Sequence, residues 1–348
     1  MKIVKETSPL AIGQISPVDL KDPQIKEMVQ ATAASLARPH LREILSFRTS
    51  IQQFLSTELA ADGYVHPPMY MLSGCTDPLN HQTFPARLNY YGEEVSVTQS
   101  LILQKILMVM LSPVDQVFWA SPNIRMEMGV SARQYKYAAE FMQVDFEKKG
   151  ATMADMISYI SELVARMHAH LNATQASALI ALRGGLLPEV SGGLAMHDLV
   201  EVKEAQGLSS DDEVERYLAD HSGGLPFIVT NLKREAYDCF DPKTGRFLNY
   251  DVVYPAVGGD GPPVECLSGA ERTRSLSDLR QRMLDLGYPM EYFEPFFEIC
   301  EASGKGDMEI CCAGGGFGVE RLAYVMLGLQ DVHQVYPFPR PAEGCIAF

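Results

Sequence analysis

The chain has 348 residues, 47% hydrophobic and 21% charged, enough to bury a large core as one big domain or two smaller ones. Its 44 acidic and 29 basic residues give a net charge of −15, which argues against a broad nucleic-acid footprint and leaves room for a local basic pocket. No apolar stretch reaches the length of a membrane span, residues 1–6 hold no signal core, and seven cysteines without a CxxC pair read as reduced thiols; a cytoplasmic protein is expected.

Residues 1–38 are mixed and interrupted by proline, an N-terminal extension with one helix expected over 23–37; the main domain is expected over 39–348. Apolar residues at helical spacing predict a helix over 41–61, stopped at Asp62-Gly63. Residues 64–69 read as a short extended edge segment, since Pro67 and Pro68 exclude a central ladder. The loop-rich stretch over 70–98 holds Gly74-Cys75-Thr76-Asp77, read as part of a flap, and a hairpin about Gly92. A helix over 100–111 follows, with Ser100 as its cap. Lys105 lies among its apolar residues and reads either as a snorkelling lysine or as a site residue.

Two strands come next, 116–127 and 140–147. In the second, alternation puts Phe141, Gln143, Asp145 and Glu147 on one face and Met142, Val144 and Phe146 on the other. Two carboxylates and an amide on one face fit either an open polar cleft or a solvated outer face. A long helix is expected over 152–182, where His168 and His170 point apart and form no metal pair. Residues 186–222 read as a smaller helical section, including 196–200 and 212–218. Strands follow at 226–230, 247–254 and 263–272, helices at 274–286 and 290–302, and a strand at 308–313 in which Cys311-Cys312 reads as core. That strand leads into Gly314-Gly315-Gly316-Phe317-Gly318-Val319-Glu320-Arg321. Glycine backbone before a helix fits close strand-to-helix packing or a bound ligand, and a guanidinium at Arg321 suits a phosphate oxygen. Strands outnumber those of a regular βαβ array, so the expected fold is α/β (α+β): one large domain with a mostly antiparallel sheet flanked by helices.

Several of these stretches, in this order, resemble the catalytic domain of the class II aminoacyl-tRNA synthetases, aspartyl/asparaginyl branch. Arg125-Met126-Glu127 with residues 140–147 is similar to motif 2, and the Gly-rich stretch to motif 3. The helix over 41–61 with Pro67-Pro68 is similar to motif 1, which builds the dimer interface in that family. Residues 140–147 are close to the string EFTQIDVE, Gln99-Ser100 with Lys105 to QSPQLxKQ, and residues 264–272 to VEISSGAQR. The resemblance covers roughly residues 40–342.

The resemblance implies adenylate formation, with ATP and Mg²⁺ as cofactors. Arg125 and Arg321 would be catalytic, holding the α- and γ-phosphates. Glu127, Phe141, Glu265, Gly316 and Gly318 would complete the ATP site, with Phe141 stacked on adenine and Arg321 on the opposite face. Glu265, with Asp251, would hold the metal. Gln99, Lys105, Gln143, Asp145, Ser268 and Arg272 would form the amino-acid pocket. There Lys105 and Arg272 grip a side-chain carboxylate, and Asp145, helped by Gln143, meets the α-ammonium. These residues favour aspartate or an aspartate-like acid, because desolvated cations facing a neutral amide are poorly paired.

Departures from the pattern bear on the acceptor. Ile102 replaces the second Gln of QSPQ, and the flap keeps Thr76-Asp77 but loses the usual TEGG continuation. Residues 1–38 are too few for an anticodon-binding barrel. With the acidic charge, these features predict a homodimeric ligase that works without tRNA, similar to the free-standing archaeal-type asparagine synthetases. It would pass the acyl group to ammonia or a small amine. The alternatives are transfer to a tRNA, carrier or protein, and a non-catalytic paralogue acting as a binding dimer. The presence of Arg125, Arg321, Glu265 and Asp145 argues against the last.

Overall fold

A computed structural model of the chain describes residue 19 and residues 21–75, 77, 83–84, 86–129, 131–259, 261–306 and 308–342. Two helices come first, α1 (Pro23–Leu36) and α2 (Leu41–Ala61). Along α2 the residues Ile44, Phe47, Ile51, Phe54, Leu55 and Leu59 are buried, the stripe that a three-and-four spacing places on one face. Beyond a short hairpin (Arg87–Tyr90 with Glu93–Val97) lies α3 (Ile102–Leu111). Then follow β1 (Gln116–Ile124), β2 (Glu140–Lys149), α4 (Met153–Thr174), β3 (Ala195–Asp198), α5 (Leu199–Gln206) and α6 (Asp211–His221). The chain continues through β4 (Phe227–Thr230), β5 (Asn249–Tyr254), β6 (Val264–Glu271), α7 (Leu276–Asp285), α8 (Glu294–Ala302), β7 (Cys312–Gly318) and α9 (Val319–Met326).

These seven strands form one sheet in the order β1-β2-β7-β6-β5-β4-β3. Every neighbouring pair is antiparallel except β3 with β4. The sheet flanked by helices is the fold class expected from the strand count. Among the described residues no helix is long and apolar enough to cross a membrane.

Alternation along β2 decides where the site lies. Val144 and Phe146 point into a core shared with Phe47 and Leu55 of α2, Ile160 and Val164 of α4, and Leu322 of α9. Gln143, Asp145 and Glu147 point the other way, where Lys105 of α3 reaches Asp145. On that side Val117 and Trp119 of β1 pack a second core with Leu103, Ile106 and Phe296. Asp145 and Glu147 are buried, so this polar face is the wall of a cleft and not a solvated exterior.

Four local expectations shift. Ala195–Asp198 is a strand, not helix; it runs parallel to β4, and the Asp198 carboxylate caps α5 by accepting from the Val200 and Glu201 N–H groups at 2.9 and 3.1 Å. The cap position of α3 is Leu101, not Ser100; the Ser100 hydroxyl donates to the Asp77 carboxylate and accepts the Ile102 N–H at 3.3 Å. The long helix ends at Thr174, and a π-helical turn over Leu179–Arg183 follows. The strand expected at 308–313 begins at Cys312 and runs through the glycines to Gly318. Cys312 is buried and Cys311 exposed. The glycines sit inside the sheet for a steric reason. A Cβ on Gly314 would overlap Phe146 O and Glu147 Oε2, and one on Gly316 would overlap Asp145 Oδ1 and Gln143 Nε2. Here the missing side chains make room for those of β2.

Candidate active site

A cavity of about 300 Å³ opens on the polar face of the sheet. Arg125, Glu127, Phe141, Glu265, Gly316, Gly318, Arg321, Lys105, Gln143, Asp145, Ser268, Arg272 and Asp251 all line it. Gln99 stands behind the wall. Its carbonyl accepts from Arg125 Nε at 2.9 Å, and its side-chain amide donates to Thr83 Oγ1 at 2.9 Å.

Arg125 follows β1 directly, where its own N–H bonds Ala139 O at 2.9 Å and turns the chain towards the cavity. Its guanidinium lies 5.3 Å from the Phe141 ring centroid, and Nη2 is 3.9 Å from Asp77 Oδ2. Arg321 sits in the first turn of α9. Its Nε donates to Lys136 O at 3.0 Å, and Nη1 donates to Glu265 Oε2 at 2.8 Å and to Glu265 O at 3.2 Å. Burial alone would lower the Arg321 guanidinium; Glu265 and Tyr137 outweigh it and raise it above its ordinary range. Its aromatic neighbour is Tyr137, 5.3 Å away. Both arginines are anchored through one part of the guanidinium, which leaves further N–H groups for an anion.

Asp251 and Glu265 come from adjacent strands, β5 and β6. Burial pushes the Asp251 carboxyl up, Arg234 opposes this and Glu265 adds to it, leaving it at about 6. Arg234 bonds Asp251, the Ser268 hydroxyl and Gly269 O, and its Nε meets Asp238 Oδ2 at 2.9 Å. Among the described residues no three His, Cys, Asp or Glu side chains converge on one point. Asp251 and Glu265 are both cavity-lining carboxylates, the type of oxygen donor a hard cation takes. Each is also bonded to an arginine.

At the expected amino-acid end the charged side chains pair with one another. Lys105 Nζ lies 3.2 Å from Asp145 Oδ1 and 3.8 Å from Glu147 Oε2. Arg272 Nε and Nη2 hold the two Glu147 oxygens at 2.9 and 2.8 Å. The charge of the two cations is therefore met inside the protein, and Asp145 is already paired. Glu147 supplies the balance; it stood on the same face of β2 in the sequence and was given no role. What remains for a ligand is donor capacity. Lys105 has three N–H groups, and among the described residues Arg272 Nη1 makes no hydrogen bond. Gln143 is oriented by Asn123, whose Nδ2 donates to its Oε1 at 2.6 Å.

Sequence reasoning missed Asp77, Tyr137, Arg234, Glu235, Tyr237 and Asp238, all on the cavity wall. Four of these lie in 231–239, the loop leaving β4. A run of charges at a strand end was the available signal. It also missed Glu320. Its Oε1 accepts from Arg48 Nε and Nη2 at 3.0 and 2.8 Å, and its Oε2 accepts the Met142 N–H at 2.8 Å. One buried carboxylate thus ties α2, β2 and α9 together.

Comparison with known proteins bears on the family and the fold. The family model of the tRNA synthetases class II (D, K and N) matches residues 25–342. The asparagine–tRNA ligase of Lawsonia intracellularis is 23% identical over 312 residues, covering 80% of this chain and 65% of that protein. The asparagine–tRNA ligase of Pelobacter propionicus is 24% identical over 318 residues, with the same two coverages. The chain thus spans 65% of the length of these curated relatives. Among solved structures, the asparaginyl-tRNA synthetase from Pyrococcus horikoshii complexed with asparaginyl-adenylate superposes with a TM-score of 0.77 at 19% identity, covering 94% of this chain and 75% of that one. A putative aspartyl-tRNA synthetase from Leishmania major Friedlin gives a TM-score of 0.68 at 16% identity, covering 88% and 66%. These relatives are named as tRNA ligases, which lends no support to the expectation of a tRNA-independent enzyme. With the match running from residue 25 to 342, the chain belongs to the class II tRNA synthetases of the D, K and N group.

Proposed function

We propose that the protein activates an amino acid of the aspartate or asparagine type with ATP, forming an aminoacyl-adenylate and pyrophosphate. The observation that carries this reading is the presence of Arg125 and Arg321 on one cavity with the carboxylates Asp251 and Glu265 and a donor-lined end at Lys105 and Arg272. In the reaction a carboxylate oxygen attacks the α-phosphorus; the new O–P bond forms as the bond to pyrophosphate breaks. Two anions must meet, so the protein's part is positioning and charge stabilisation. Arg125 would hold the substrate carboxylate and α-phosphate, Arg321 the γ-phosphate, and Phe141 the adenine ring. Mg²⁺ bound at Asp251 and Glu265 would neutralise phosphate charge. Entry of the triphosphate would exchange the Arg321–Glu265 pair for phosphate and metal contacts.

At the Lys105 and Arg272 end the two cations offer donors, with the Asp145 carboxylate beside them on the cavity wall. A carboxylate presents two acceptor oxygens to the cations, whereas an amide turns one N–H group towards a cation. Aspartate is therefore the expected better substrate, and asparagine, the amino acid in the curated relatives' names, is the competitor. For the second step, transfer to tRNA is the reading those names support. Transfer to ammonia or a small amine is the second reading. It is favoured by the net charge of −15 and by the pairing of Arg133, in the loop before β2, with Asp212 at 2.7 Å.

The test is ATP–pyrophosphate exchange without tRNA, with each amino acid in turn. Exchange with aspartate or asparagine, lost by at least ~100-fold in Arg321→Ala, is the expected result. No exchange with either, in the presence or absence of tRNA, would sink the reading and leave a binding paralogue. Added tRNA or ammonium then identifies the acceptor through the acylated product.

A further inference from the structure

Ion pairs occupy most charges on the cavity wall: Lys105 with Asp145, Arg272 with Glu147, Arg321 with Glu265, and Arg234 with Asp238 and Asp251. Glu235 is different. Among the described residues it forms no ion pair, and its Oε2 is buried at the wall without a hydrogen-bond partner. Native proteins rarely leave a buried carboxylate oxygen unbonded, and an interior without compensating donors opposes the ionised form.

The backbone that carries Glu235 is held from behind. Arg282 of α7 donates from Nη2 to Glu235 O at 3.0 Å and from Nη1 to Asp238 O, so the loop is clamped on its far side. The groups whose charges act on the carboxyl come from several elements: Asp77 from the flap, Asp238 and Arg234 from its own loop, and Arg125 from the end of β1. Tyr237 and Tyr288 also face this corner. Burial first, then Asp77 and Asp238, push the Glu235 carboxyl up to about 8, against the opposing pull of Arg234 and Arg125. A corner with this balance is short of one cation.

We propose that Glu235 recognises the α-ammonium group of the amino acid being activated. The assignment rests on the activation reading above and takes over the role that the family resemblance implied for Asp145. Asp145 already faces Lys105 at 3.2 Å. A substrate whose α-carboxylate sits on Arg125 carries its ammonium one carbon away, beside Asp77, which lies 3.9 Å from Arg125 Nη2. Glu235 feels both groups. The ammonium would supply the donor that Oε2 lacks and draw the carboxyl into its ionised form.

Glu235→Gln tests this with its shape retained. In ATP–pyrophosphate exchange the KM for aspartate or asparagine is expected to rise about tenfold to a hundredfold, with the KM for ATP unchanged. Succinate, which lacks the amine, should compete far less well than the amino acid in the wild-type protein; in the variant that difference should collapse. A further readout is the melting temperature without ligand, expected to rise in Glu235→Gln because a group whose ionisation the buried corner opposes is replaced by a neutral one. Glu235→Asp, which keeps the charge and shortens its reach, should fall between the two in KM. An amino-acid KM in Glu235→Gln equal to that of the wild type, with exchange intact in both, would overturn the assignment and leave the activation reading standing. Absence of exchange in the wild-type protein would remove both.

Discussion

At the scale of residues, charge is settled pairwise. Lys105 shows this best. From the sequence it was a lysine in an apolar helix, readable as surface or site; Asp145 and Glu147, from a strand about forty residues on, make its burial possible. The Arg272–Glu147 pair carries the larger energetic consequence. Glu147→Gln would leave a buried guanidinium without its bidentate partner and is expected to cost about 3–5 kcal/mol in urea unfolding. Glu235, Glu215 and Asp251 respond to pH in the opposite way to a salt-bridged carboxylate. Burial raises the first to about 8, the second to about 7 and the third to about 6. The folded chain therefore keeps protons that the unfolded chain has already released, and stability falls as pH rises from about 4.5 to about 8. Denaturation curves across that range should show this slope, flattened at its alkaline end in Glu235→Gln. That Arg125, Arg321, Asp251 and Glu265 share one cavity was expected from recognisable strings. Glu235 was not, because a single glutamate in a charged loop carries no mark of which way it faces.

Elements behave as the local sequence requires wherever periodicity is strong. The stripe of α2 and the alternation of β2 both appear as spaced, since each buries a continuous apolar face. The Gly-rich strand β7 was readable as close packing or as backbone beside a ligand. Gly314 and Gly316 lie mid-strand beneath Glu147, Asp145 and Gln143, and Gly316 also lines the cavity. Their need arises from the neighbouring strand, which no pattern within residues 312–318 records. Gly316→Ala is accordingly expected to displace Asp145 and Gln143, lower stability by about 1–3 kcal/mol and remove amino-acid-dependent exchange. Thermal melting beside the exchange assay checks both effects. A protein that melts and exchanges as the wild type does would show that this strand pair can spread at no cost. Glu320 makes the same point between elements: its two oxygens join α2 to β2 through α9, three segments far apart in the chain.

On the scale of the whole molecule, the prediction concerns assembly. The resemblance of α2 and the following prolines to a dimer-forming motif predicts a dimer by light scattering, and a stable monomer at micromolar concentration would count against it. Fold class and family were within reach of the sequence by itself, because hydrophobic periodicity and several motif strings in order are local properties that each segment carries with it. Arg125 and Arg321, the arginines proposed to hold phosphate, came with those strings. Only the tertiary structure decided that Glu147 neutralises Arg272, that Asp145 is occupied by Lys105, that the glycines of β7 serve their neighbours, and that the loop after β4 brings Glu235 to the cavity. These are facts of juxtaposition. Electrostatic pairing and steric exclusion act across a few ångströms of space, between residues the chain separates by tens to hundreds of positions.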